Sequence, residues 1–191
     1  GNSNSQHHPG HQMKSRSFLL KPFPSTGLLP HLEIIGDIER SSNKLLISYK
    51  LSGPLAEIIV PASADVRVRK NGLWEETCFE FFLAPVTSEH YWEFNLSPSG
   101  HWNVYHFSSF RQGMKEETAY TSLPFSILLY SDFLQLSLEV ELDKIVQTDQ
   151  SLKIGISALT KTVNGRMTFW ALTHPGPQPD FHRRDAFIVD L

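Results

Sequence analysis

Leu134, Leu136, Leu138, Val140 and Leu142 alternate without a break with Gln135, Ser137, Glu139 and Glu141. A period of two is the mark of a strand with one face in an apolar core and the other in water. A helix would scatter the same side chains around its axis. Leu45, Ile47 and Tyr49 alternate in this way, as do Phe79, Phe81 and Leu83, and Ile154, Ile156 and Ala158. Between the runs stand Ser52-Gly53-Pro54, Asn71-Gly72, Ser97-Pro98-Ser99-Gly100, Asn164-Gly165 and Pro175-Gly176-Pro177. Asn-Gly favours the left-handed backbone of hairpin turns, and Pro second with Gly fourth suits a type I turn. Only Asp143 to Val146 reads as helix, and it is a single turn long. The pattern predicts an all-β fold, an antiparallel two-sheet β-sandwich of jelly-roll or immunoglobulin-like type.

The chain has 191 residues, of which 40% are hydrophobic and 12% aromatic, enough for one domain with one large core. Lys and Arg total 17 against 20 Asp and Glu. Without a basic excess to neutralise phosphates, nucleic acid is not an expected partner. Cys78 is the single cysteine, so no intramolecular disulfide can form. Residues 1–16 are rich in Ser, Asn, His and Gly and are expected to be a disordered arm; residues 17–191 are expected to form the domain. His7, His8 and His11 lie in that arm, where a flexible polar tail is favoured over a metal site because no acidic or Cys partner is near. The polar N-terminal stretch has neither a signal-peptide core nor a membrane-length run, so the chain as given reads as soluble and cytoplasmic, with export left open and no membrane partner.

Leu73–Leu83, Tyr91–Leu96 and Trp102–Phe107 read as three successive strands. Alternation places Phe79, Phe81, Leu83, Trp92, Phe94 and Leu96 on the buried face. The opposite face then carries Trp74, Glu76, Cys78, Glu80, Tyr91, Glu93 and Asn95, with Asn103 and Tyr105 beside them. Carboxylates, amides and aromatic rings on one face suit a neutral polyhydroxylated ligand, whose apolar side stacks on a ring while its hydroxyls bond to acids and amides. The competing reading is a solvated outer face. Trp and Tyr there would expose large apolar area without a use, which favours recognition. Trp74 and Tyr105 are assigned to stacking, Glu80 and Glu93 to accepting hydroxyl hydrogen bonds, and Asn95 to donating and accepting.

The run Thr77-Cys78-Phe79-Glu80-Phe81-Phe82-Leu83, followed by Tyr91-Trp92-Glu93-Phe94-Asn95-Leu96 and Gly100, resembles DOMON-like domains and the family-nine carbohydrate-binding modules that share their fold. Phe169-Trp170-Ala171-Leu172-Thr173-His174-Pro175, with Pro179-Asp180-Phe181-His182, is similar to the C-terminal signature of a bacterial DOMON-like subgroup. The resemblance spans residues 17–191 and implies a β-sandwich whose pocket holds sugar or, in some members, haem.

His174, Asp180 and His182 resemble a two-histidine, one-carboxylate metal set in type, yet lining the rim of the binding face, with Trp170 pointing the same way, is the preferred reading. No cofactor is expected; b-type haem is the alternative, with Met114, Met167, His106 and His174 as available axial ligands. A non-catalytic ligand-binding domain is favoured over an enzyme. A glycoside or metal-dependent hydrolase would use Glu80 and Glu93, expected to face one another across the hairpin, unless they are merely bridged by a cation such as Arg111. Cys78 reads as an inert small hydrophobe.

Overall fold

The computed structural model describes residues 14–24 and 31–191. Its strands in chain order are β1 (Lys14–Leu19), β2 (Lys21–Pro22), β3 (Glu33–Ser41), β4 (Lys44–Ser52), β5 (Cys78–Pro85), β6 (Tyr91–Leu96), β7 (Trp102–Phe107), β8 (Lys115–Glu116), β9 (Phe125–Leu129), β10 (Phe133–Glu141), β11 (Leu152–Lys161), β12 (Met167–Ala171) and β13 (Val189–Asp190). One sheet runs β1-β3-β4-β10-β9; the other runs β2-β12-β11-β5-β6-β7-β8, and β13 extends it beside the start of β11. Every pairing between these strands is antiparallel. The two-sheet sandwich read from the alternation is the fold observed. No helix among the described residues is long and apolar enough to cross a membrane.

The period-two side chains meet where expected. Ile47, Tyr49 and Leu51 of the five-stranded sheet, with Leu134, Leu136 and Leu138, pack against Phe79, Phe81, Leu83, Phe94 and Ile156 of the larger one. Tyr49 is fully buried between Phe18 and Phe79, and its hydroxyl donates to the Glu80 carbonyl at 2.7 Å. This bond ties the two layers together at the residue whose side chain leaves on the far side.

Two local readings are revised, and one turn is added. β1 begins at Lys14, so Lys14 to Arg16 belong to a strand rather than to an arm, while residues 1–13, including His7, His8 and His11, lie outside the described residues. Leu73 to Leu83 is not one strand: Gly72, at φ 75°, launches a single 3-10 turn over Leu73–Glu75, and β5 starts only at Cys78. The tightest hairpin turn is made without glycine, by Ser42 and Asn43 at φ 50° and 55°. Asn43 tolerates that backbone because its side chain is locked by Arg40, Asp143 and the Val146 carbonyl.

β5 is buried along its whole length, on both faces. One face looks into the sandwich. The other lies under a second aromatic cluster of Phe82, Tyr91, Tyr105, Phe107 and Phe187, with Phe181 packed against it. Phe187 rests directly on Gly155, where an added Cβ would come within 2.7 Å of its ring. Gly155→Ala should therefore lift that ring and lower stability by about 1–3 kcal/mol, the usual range for overpacking. Urea denaturation measures it, and an unchanged midpoint would show that Phe187 is not seated there.

Candidate functional site

Strand register decides which polar side chains meet. Ser157 of β11 lies opposite Glu80 of β5, Glu80 opposite Asn95 of β6, and Asn95 opposite Asn103 of β7. Two residues along, Gly155, Phe82, Glu93 and Tyr105 form the next row on the same face. Glu80 and Glu93 are therefore diagonal neighbours. The expectation that they face one another directly is corrected, because Glu93 stands opposite Phe82. Diagonal positions in an antiparallel pair lie roughly 7–8 Å apart.

This face is roofed rather than wet. Glu80 is 2% exposed, Glu93 5% and Asn95 0%. The roof is the C-terminal segment: His182 packs edge-on against Phe82 and Phe107, and Phe187 covers Phe82 and Tyr91. Between roof and sheet remains a cavity of about 400 Å³. Glu80 and Glu93 border it, together with the rings of Trp74, Phe107, Phe169 and Phe181, the apolar Met114, Leu159 and Pro179, and Arg111 and His182.

The carboxyls are poorly supplied with partners. Among the described residues, the hydrogen bond formed to the Glu80 carboxyl comes from the Cys78 thiol, at 3.7 Å. Glu93 has the His182 Nε2 at 3.5 Å. Ser157 Oγ and both polar atoms of the Asn95 side chain are buried without a hydrogen bond of good geometry. Each sits close enough to a carboxyl to favour its charged form, Ser157 beside Glu80 and Asn95 beside Glu93, so these are near-contacts rather than formed bonds.

Burial, and then repulsion from Glu93, pushes the Glu80 carboxyl well above the usual carboxylate range. Burial likewise raises Glu93, to about 7, against the opposing pull of the Arg111 charge and of Asn95. His182 is pushed down to about 4, first by burial and then by Arg111, so it is neutral at pH 7. Arg111 takes a left-handed backbone at φ 53°, and its N–H donates to the Tyr91 hydroxyl at 3.1 Å. The Tyr91 hydroxyl also lies 2.8 Å from His182 Nδ1, and the other ring nitrogen, Nε2, faces Glu93 at 3.5 Å. The Cys78 thiol is pushed up by burial and by both glutamates, in keeping with an inert role.

Of the ten residues singled out from sequence, Trp74, Glu80, Glu93, Arg111 and His182 border the cavity. Trp74 reaches it from the 3-10 turn, in tilted contact with Tyr105. Tyr91, Asn95 and Tyr105 share the face as support: Tyr91 stacks on Phe107, and Tyr105 donates to Asn71 Oδ1 at 2.6 Å. Arg111 bridges no glutamate; it pairs with Asp180 at 2.7 Å. Trp170 points the other way. It stands opposite Ala158, on the core side, and its indole donates to Thr160 at 2.9 Å, so its neighbour Phe169 is the one that borders the cavity. His174 is also displaced, held by the Lys21 carbonyl and the edge of Phe23. It is thereby separated from Asp180 and His182, and among the described residues no group of three His, Cys, Asp or Glu side chains is arranged to hold a metal ion. Of the four residues available to ligate haem, Met114 borders the cavity, while His106 pairs with His90. Phe169 and Leu159 could have been found from strand parity, as neighbours of core residues. Phe107 has the same parity signal, two residues beyond Tyr105 in β7 and opposite Tyr91. Pro179 and Phe181 carry no such local signal, since they belong to the C-terminal segment that roofs the face.

No family model matches the chain, and no curated protein matches it by sequence. Solved structures do. A candidate carbohydrate-binding protein from Bacteroides uniformis superposes with a TM-score of 0.71 at 15% identity, over 90% of this chain and 83% of the other. A family-nine carbohydrate-binding module from Caldicellulosiruptor kristjanssonii, solved in complex with cellotriose, superposes with a TM-score of 0.50 at 10% identity, over 85% of this chain and 74% of that one. The chain has a fold like that of family-nine carbohydrate-binding modules. The DOMON-like part of the resemblance rests on the sequence motifs alone.

The raised Glu93 carboxyl has a consequence for stability. A group protonated more readily in the folded than in the unfolded state contributes stability that is complete below its unfolded pKa and is lost as pH rises through its folded value. For Glu93 the window is about pH 4.5 to 7. His182 acts in the opposite sense, losing stability as pH falls from 6.5 toward 4, while the raised Glu80 carboxyl acts in the same sense as Glu93. Glu93→Gln should remove the Glu93 share: no gain over the native protein near pH 4, and a gain of about 3 kcal/mol at pH 8, from a shift near 2.5 pH units at 1.36 kcal/mol each. Urea denaturation at the two pH values reads the difference, and an equal effect at both would contradict the assignment.

Proposed function

We propose that the chain is a binding domain for a small carbohydrate, held in the cavity under the C-terminal roof. The observation that carries this reading is the composition of the cavity wall: aromatic rings on several sides and two carboxyls with unused acceptor capacity on one. A sugar ring has apolar faces that bury against Trp74, Phe107, Phe169 or Phe181, and peripheral hydroxyls that donate to Glu80 and Glu93. The volume suits one or two sugar units rather than a long chain crossing an open groove. The likeness in fold to a cellotriose-bound module supports the same ligand class.

A hydrolase acting through the same two carboxyls is the second reading. The observation in its favour is a Glu93 carboxyl titrating near 7, the range that suits a general acid at neutral pH.

A glycan array followed by calorimetry tests the binding reading. At least one short saccharide should bind, and Trp74→Ala and Glu80→Ala should each weaken it roughly tenfold, the worth of one charge-assisted hydrogen bond or a well-stacked ring. Failure to bind any saccharide, with both variants indistinguishable from the native protein, removes the proposal. Release of product from chromogenic glycosides, abolished by Glu93→Gln, would replace it with the hydrolase.

A further inference from the structure

Donors and acceptors are badly matched inside the cavity. Once ionised, the two carboxyls that border it would offer four acceptor oxygens, against which the contacts formed among the described residues are a thiol at 3.7 Å and an imidazole at 3.5 Å. The donors bordering it are committed or peripheral. Arg111 gives a guanidinium N–H to Asp180 at 2.7 Å, His182 turns its Nε2 toward Glu93, and Trp74 is partly exposed. The remaining wall is aromatic or aliphatic. Buried Asn95 and Ser157, each without a formed hydrogen bond, flank Glu80 in the same strand row, so the polar patch is incomplete as it stands.

A neutral sugar only partly answers this deficit, because each hydroxyl brings acceptor lone pairs along with its one donor. An ammonium group brings three donors and no acceptor. It also brings the charge that two neighbouring carboxyls lack, and the positive head is attracted to the faces of aromatic rings. Glu80 and Glu93 are diagonal neighbours, roughly 7–8 Å apart at the backbone, and both border the same cavity, so one nitrogen placed there can serve both carboxyls.

From this cavity we infer that the preferred ligand is a sugar carrying a free primary amine, its ammonium seated between Glu80 and Glu93 and its ring against the aromatic wall. The inference rests on the carbohydrate reading and narrows it. Arg111, whose charge reaches Glu93 and His182, acts against a cation here, and its pairing with Asp180 at 2.7 Å offsets part of that repulsion. Because both carboxyls are held toward their protonated forms in the free protein, seating the cation expels protons from them.

Calorimetric titration with glucosamine, glucose and N-acetylglucosamine tests this. It is run at about pH 6.5, below the range in which such an amine gives up its proton. Glucosamine should bind at least roughly tenfold more tightly than glucose, the difference between a charge-assisted and a neutral hydrogen bond, and its heat should vary with the buffer because protons are released. N-acetylglucosamine, which keeps the ring but loses the charge, should fall back to the glucose level or below. Glu80→Gln and Glu93→Gln, near-isosteric with the protonated acids and checked for folding by thermal unfolding, should erase the preference. Equal affinity for glucose and glucosamine overturns the inference and leaves the carbohydrate reading standing. A preference that survives both substitutions also overturns it, by placing the amine elsewhere. No binding of any of the three, together with a blank glycan array, removes both.

Discussion

Two carboxyl groups taken out of water on the second face of a β-sheet set the terms for the rest of this structure. Burying an acid beside another acid is costly, since desolvation and mutual repulsion both act against ionisation. The protein meets that cost by holding Glu80 and Glu93 toward their neutral forms. The arrangement contributes nothing obvious to folding: a sandwich of this size has ample apolar core between its sheets, and an apolar pair at these positions would pack with less penalty. Perturbed acids beside a cavity recur at functional sites.

Every neighbouring feature follows from keeping water away from that pair while leaving a cavity open. Phe187 is seated on Gly155, which has no side chain to hold it off. Asp180 latches the roof to the loop after β7, accepting from the Arg111 guanidinium and from the His182 backbone N–H at 3.0 Å. The Tyr91–His182–Glu93 chain then connects the roof to the sheet through an uncharged imidazole. From the other side of the sheet, the Tyr49 hydroxyl fixes the backbone of Glu80. The site is thus braced from both layers of the sandwich.

Much of this was legible in the sequence because strand parity is a local property. The alternation that sent Phe79 and Phe81 inward sent Glu80 outward, and the same rule grouped Glu93, Asn95 and Tyr105 with it. Parity failed only where the strand assignment did. Trp74 left the strand because Gly72 diverts the chain into a 3-10 turn, and Trp170 was placed by its motif rather than by its partner Ala158, which faces the core. What the sequence could not show was the roof. Whether a face with alternating polar residues meets water or another segment depends on a contact across 91 residues, as between Tyr91 and His182, for which no short-range pattern exists. His174 is the counterpart: its motif placed it at the rim, but the bond to the Lys21 carbonyl, 153 residues away, holds it at the sheet edge.

The most direct test of this account is carbon-13 NMR of the free protein with glutamate labelled at the side-chain carboxyl, assigned through Glu80→Gln and Glu93→Gln and followed from about pH 3 to 9. Two carboxyls should remain protonated well after the surface glutamates have ionised, with Glu93 titrating near 7 and Glu80 also displaced upward. If both ionise with the rest near their ordinary value of about 4.3, the carboxyls are solvated and no enclosed acidic site exists beneath the roof.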